Sequence, residues 1–170
     1  MQRIFDIILI AVLYCFVFYP KWRQKGWLLV FNTLFYLYIC SVLMVTILPI
    51  PWQFGIRFSP GSVWQSANLT PFQDFLLGRS AAKKELILNV IMLVPFGVLY
   101  PLIKPVRWWK TVLVAFGFSL AIETSQLLMS IFLVSSRAFD VTDLITNTIG
   151  ALLGCLFSYP FLFFWKRYKK

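Results

Sequence analysis

The sequence predicts an all-α membrane protein, a polytopic bundle of about five transmembrane helices. Three observations predict it. Of the 170 residues, 60% are hydrophobic and only 13% charged, where a soluble domain is nearer half apolar and a quarter charged. The apolar residues gather into five runs of bilayer-spanning length, expected at about residues 4–20, 27–48, 86–103, 111–133 and 143–165. The 16 Lys and Arg fall in short clusters between these runs. That pattern orients a membrane protein and is not the basic face of a nucleic-acid binder, so the bilayer is the expected partner and nucleic acid is not. With no repeat or linker visible, residues 1–170 read as a single transmembrane domain.

Composition also removes chemistries. The chain has no histidine, which excludes His-based triads, His general bases and His metal sites. Cys15, Cys40 and Cys155 each lie inside an apolar run without metal-ligand spacing, and read as buried, inert thiols. No metal and no cofactor is expected.

The first run, Ile4 to Tyr19, lacks a small-x-small cleavage site, and its positive charges (Lys21, Arg23, Lys25) follow it. A secretory signal has them in front, so this run reads as a retained helix. The second, Trp27 to Leu48, stops at Pro49-Ile50-Pro51-Trp52, where prolines end a helix and Trp52 suits an interface. Residues 49–84 form the longest non-spanning segment, broken by Gly55, Pro60, Gly61, Pro71 and Gly78. The third run carries Asn89 near its start and Pro95-Phe96-Gly97 near its middle. Pro95 should kink that helix and Gly97 should admit a close neighbour. The fourth holds Glu123 and Gln126, three residues apart and so on one face. Gly117 with Ala121, and Gly150 with Gly154 in the fifth run, make two small-xxx-small pairs expected to pack closely.

Five spans place the two termini on opposite sides. The loops at 21–25 and 104–110 and the C-terminal tail hold ten Lys and Arg, and the other side holds six. The excess of positive charge inside then puts the N-terminus outside and the C-terminus in the cytoplasm, with residues 49–84 and 134–142 facing the exterior.

The unusual polar residues converge on that outer side. Arg137, Asp140, Asp143 and Asn147 stand where a polar connection turns into the fifth span. On a helix, Asp140, Asp143 and Asn147 would share a face, with Arg137 one turn earlier and able to pair. Short loops make these helices antiparallel neighbours, so one outward pocket is expected to collect Asn89, Glu123, Gln126, Arg137, Asp140, Asp143 and Asn147 as ligand-binding residues. Polar groups in membrane helices also pair simply to fix packing, and for Asn89, Gln126 and Asn147 both readings stand. Three carboxylates and one Arg exceed what packing needs, since an uncompensated charge in lipid costs about 3 kcal/mol. A proton shared among the carboxylates, or a cationic or phosphate-bearing ligand bridged by Arg137, would relieve that cost.

At these residues the sequence resembles the VanZ-like family of small bacterial membrane proteins. The resemblance rests on Asn89-Val-Ile-Met-Leu-Val-Pro95-Phe96-Gly97, on Glu123-Thr-Ser-Gln126, and on Arg137-Ala-Phe-Asp140-Val-Thr-Asp143-Leu-Ile-Thr-Asn147-Thr-Ile-Gly150. Asn68-Leu-Thr-Pro71-Phe72 resembles the family's Asn-x-x-Pro-Phe loop element. It spans roughly residues 30–157 and implies a multi-pass protein of the bacterial cell membrane, associated through the family's named member with resistance to teicoplanin-type glycopeptides.

Three functions fit these readings. The first is binding of a lipid-linked cell-wall precursor, or of the lipoglycopeptide itself, in the outer pocket. The second is an enzyme acting on an envelope lipid or glycan, with Glu123, Asp140 and Asp143 as candidate catalytic groups and Arg137 on a phosphate. The third is a small lipid transporter, which would need a homodimer to build a path. No nucleophile elbow, Gly-rich phosphate loop or metal signature supports the second.

Overall fold

The computed structural model describes residues 2–24, 26–48, 50, 67–132 and 139–168. Pro49, Pro51, Trp52, Gly55, Pro60, Gly61 and Arg137, singled out above, lie outside the described residues.

Among the described residues five helices are long and apolar enough to cross a membrane: Ile4–Trp22, Trp27–Thr46, Ala82–Ile103, Trp108–Phe132 and Val141–Pro160. The first is built from α1 (Gln2–Leu13), a π-helical turn (Tyr14–Phe18) and α2 (Tyr19–Trp22). Pro20 explains the wide turn. It has no N–H to give to the carbonyl four residues back, and Tyr19 N–H reaches instead to the Tyr14 carbonyl, five back. The second span is α3 (Trp27–Thr46), and α4 (Gln73–Leu76) is a single short turn. The last three are α5 (Ala82–Ile103), α6 (Trp108–Phe132) and α7 (Val141–Tyr168). Each of these begins a few residues before its apolar run, because a polar first turn such as Lys83-Lys84-Glu85 is helical without being hydrophobic. Two short strands, β1 (Ala67–Asn68) and β2 (Phe139–Asp140), pair in parallel with Asn68 opposite Asp140.

Burial rises along the chain. Nothing in the first span's window is buried, against 44% of the fifth's. The centre is therefore α7, and its most extensive contact is with α5. Glycines permit it. A Cβ on Gly150 would run into the Val90 carbonyl, and one on Gly154 into Val94 and into Gly97, whose Cα would be 2.9 Å away. At Gly97 itself a Cβ would meet Ala151 and the Cys155 nitrogen at 2.8 Å. The other small-xxx-small pair behaves differently. Among the described residues Gly117 has nothing within 4 Å of where its Cβ would be, so it packs none of them. Spacing alone cannot say which face of an apolar helix meets protein.

Around this crossing lies a core of Leu93, Phe96, Ala115 and Ala151. Phe96 is its aromatic centre, stacked on Tyr100 at 5.4 Å and Phe118 at 5.6 Å and edge-on to Phe35 at 5.3 Å. The prolines of α5 are accommodated by neighbours. Pro101 cannot donate to the Gly97 carbonyl four residues back, and Ser158 Oγ from α7 takes the place at 3.2 Å. Tyr38 of α3 donates to the Met92 carbonyl at 2.8 Å, next to the Ile91 carbonyl that Pro95 leaves without its helical donor. Ser158 Oγ divides its proton between Gly97 and Cys155, also 3.2 Å away. Ser158→Ala should therefore cost only about 1 kcal/mol of stability. A modest fall in the detergent melting temperature checks it, and an unchanged midpoint contradicts the assignment.

Candidate functional site

The site is assembled where β1 meets β2. Residues 67–72 bend because Asn68 Oδ1 accepts the Thr70 N–H at 3.3 Å, a local turn Asn makes readily, and Pro71 follows. Phe72 then adopts φ 60° and ψ 19°, an unfavourable conformation for a bulky residue. Its N–H is held by Thr142 Oγ1 at 2.9 Å. The chain is thus tied to the start of α7 at two points.

Asp140 is the hub of those ties. Its Oδ1 accepts the Thr142 N–H at 2.6 Å, capping α7. Its Oδ2 accepts from Asn68 Nδ2 at 2.9 Å. Its own N–H donates to Glu123 Oε2 at 3.0 Å. Glu123 is only 2% exposed and stands nine residues before the end of α6. The start of α7 therefore sits recessed, roughly 14 Å below that end at 1.5 Å per residue.

The structure separates groups that sequence spacing placed together. Asp140 does not share a helical face with Asp143 and Asn147, because pairing with β1 holds it extended just ahead of the helix. Asp143 turns to α5, where Asn89 Nδ2 donates to its Oδ1 at 2.6 Å. Asn147 turns to α6 and donates to Ser119 Oγ at 2.9 Å, leaving its buried Oδ1 without a partner among the described residues. Gln126 reaches away from the carboxylates to the Thr46 carbonyl of α3 at 3.1 Å. The pairings expected of Arg137 fall outside the described residues.

What the fold does bring together is a set of four carboxylates. Asp74, Glu85, Asp140 and Asp143 line one small cavity of about 20 Å³, with Phe72 and Thr142 also on its wall. That is room for one water-sized group. Glu123, Asn89, Gln126 and Asn147 do not line it. Among the described residues the one ion pair is Arg79 to Asp74 at 2.9 Å, on the exposed rim. Like charges gathered beside a membrane-spanning helix repel, and a cationic or hydrogen-bond-donating group between them would offset this. No three carboxylate or thiol groups among the described residues are arranged to hold a metal ion.

Asn68, Asp74, Glu85, Thr142 and Ser119 were not singled out as site residues from sequence. Asp74 and Glu85 lie at or beyond the edges of the apolar runs, where a charge is ordinary. The signal for Asn68 was present in the Asn-x-x-Pro-Phe element, but its partner is 72 residues away. Asp6 also lies at this end, in the first span, with Oδ2 buried and unpartnered among the described residues. All six carboxylates of the chain thus fall towards one end of the bundle.

Comparison with known proteins places these residues in a wider group. The family model described as VanZ/LLP1 matches residues 35–164, which contain every residue of the carboxylate network. Protein VanZ of Enterococcus faecium is 35% identical over 91 residues, which cover 53% of this chain and 50% of that protein. The chain spans about half the length of this curated relative. No solved structure matches.

Proposed function

The chain belongs to the VanZ/LLP1 family, and from that premise we propose that it is a bacterial cell-membrane protein that lowers the action of teicoplanin-type glycopeptides. It does so by binding an envelope lipid intermediate, or the drug, at the carboxylate-lined end of its bundle. The observation that carries this reading is the convergence of Asp74, Glu85, Asp140 and Asp143 on one cavity. Four carboxylates with one paired arginine nearby fit an ammonium or a hydroxyl-rich group. A cavity of about 20 Å³ grips the tip of such a ligand, and the rest of it lies across the outer surface or in the lipid.

Orientation supports the same reading. The ten Lys and Arg at the opposite end mark the cytoplasmic side, with the C-terminus there and the N-terminus outside. The carboxylate end then faces the exterior, where cell-wall precursors and glycopeptides meet.

The test is teicoplanin susceptibility of a sensitive Gram-positive host expressing the wild type, Glu123→Gln or Asp143→Asn at matched membrane levels. Both amides keep an oxygen able to accept the existing hydrogen bonds, from Asp140 N–H and from Asn89. The charge is removed while the packing stays. Wild-type protein should raise the inhibitory concentration several-fold, and each variant should lose most of that gain. Resistance that survives both substitutions would reduce the cluster to a packing device. A wild type that confers none would remove the antibiotic reading.

A further inference from the structure

The first turns of α5 sort charge by face. Glu85 lines the carboxylate cavity, whereas Lys83 and Lys84 line an open groove of about 340 Å³ with Ser80, Ile87 and Leu88. Lys83, Lys84, Ile87 and Leu88 follow helical spacing on α5, so the two ammonium groups sit one turn above the two apolar side chains. Neither lysine has a carboxylate partner among the described residues, where the one ion pair is Arg79 with Asp74. Below them Ile87 is 52% exposed, Leu88 50% and Ile91 59%. On a membrane-spanning helix, lipid is what covers such a face.

A second groove of about 260 Å³ runs between α5 and α7, lined by Leu86, Ile87, Val90, Ile91, Thr146 and Phe72. The two grooves meet at Ile87. A pair of cations above two largely apolar grooves that share Ile87 is complementary to one phosphate carrying two hydrocarbon chains. A free anion would use only the top of this surface.

We propose that the Lys83–Lys84 face of α5 binds a phosphate-bearing two-chain membrane lipid, its phosphate on the two ammonium groups and its chains on either side of Ile87. This deepens the reading above by naming a ligand class for the same end of the bundle, and it rests on that reading only for which leaflet is involved. Bound there, the lipid's headgroup lies beside the carboxylate cavity, separated from it by the first turn of α5.

The full chain, reconstituted in dioleoyl phosphatidylcholine vesicles, tests this with spin-labelled phosphatidylglycerol and spin-labelled phosphatidylcholine. The readout is the motionally restricted fraction of each. Wild-type protein should restrict phosphatidylglycerol in preference, and Lys83→Gln/Lys84→Gln should reduce that preference by roughly fivefold or more, the attraction of a basic residue to an anionic surface being about that large for each. The restricted fraction of phosphatidylcholine, unchanged in the variant, reports an intact lipid-facing surface. Equal restriction of both lipids by the wild type overturns the proposal. So does a preference the variant retains, since the ten basic residues at the opposite end would then be its source. Competition by inorganic phosphate beyond that of chloride at equal ionic strength would mark a free-anion site and also overturns it. Glu123 and Asp143 are untouched here, so failure of the susceptibility test and failure of this one are separately visible.

Discussion

Gly150→Ala is expected to leave little folded protein in the membrane, while Gly117→Ala is expected to do no harm. At Gly150 the added carbon would stand 2.9 Å from the Val90 carbonyl carbon and 3.2 Å from its Cα, with the oxygen nearer still. All three are backbone atoms of α5, so no side chain can rotate away. Relief requires α5 and α7 to separate, which also loosens Gly97 against Ala151 and Gly154 against Val94. Overpacking typically costs about 1–3 kcal/mol. A clash of backbone with backbone at the chain's largest interface belongs at the top of that range or above it. Gly117 meets nothing within 4 Å, and there alanine gains about 1 kcal/mol of helix propensity. Membrane level and thermal midpoint in detergent read both variants. A Gly150→Ala protein with the wild-type midpoint would show that the α5–α7 crossing is not as drawn.

Exchanging the two partners of the strand pair should break the site and then restore it. In Asp140→Asn one side-chain oxygen still caps Thr142, but an NH₂ group now faces the NH₂ of Asn68, donor against donor. Losing that charged hydrogen bond should cost about 1.5–3 kcal/mol. Asn68→Asp alone opposes two carboxylates and should cost a similar amount. The double variant Asn68→Asp/Asp140→Asn rebuilds the pair with donor and acceptor reversed, and residue 68 still has an oxygen for the Thr70 N–H. Most of the lost stability should return, giving an interaction energy of about 1 kcal/mol or more in a double-mutant cycle. Additive losses would mean the two side chains do not meet. The same four proteins, scored for drug susceptibility, separate a need for this tie from a need for a charge at residue 140.

Much of the architecture was legible in the chain. The five spans follow from apolar runs bounded by Trp, Pro and basic residues, and Glu123, Asp140 and Asp143 stood out because carboxylates are rare in such runs. Family membership was legible in the motifs from Asn89 to Gly150, which fall inside the region the family model matches. Other features were hidden by their own ordinariness. Asp74 and Glu85 look like solvated loop and helix-start charges until the turn at Phe72 brings Asp74 to the start of α7, where Glu85 of α5 lines the same cavity. Asp140 reads as helical in the sequence because a helix follows it, and pairing with Ala67–Asn68 keeps it extended.

The sequence by itself determined that this protein is a bundle of membrane helices with its carboxylates towards one end and most of its cations at the other. Hydropathy and charge are carried by each segment whatever its neighbours are, so they can be read without knowing the contacts. The tertiary structure alone decided that Gly150 meets backbone and Gly117 meets nothing, that Asn89 goes to Asp143 and Asn147 to Ser119, and that four carboxylates share one cavity. Those are properties of contact between helices, set by how each rotates about its axis when small residues let the backbones close, and an evenly apolar helix does not encode that rotation in its own pattern.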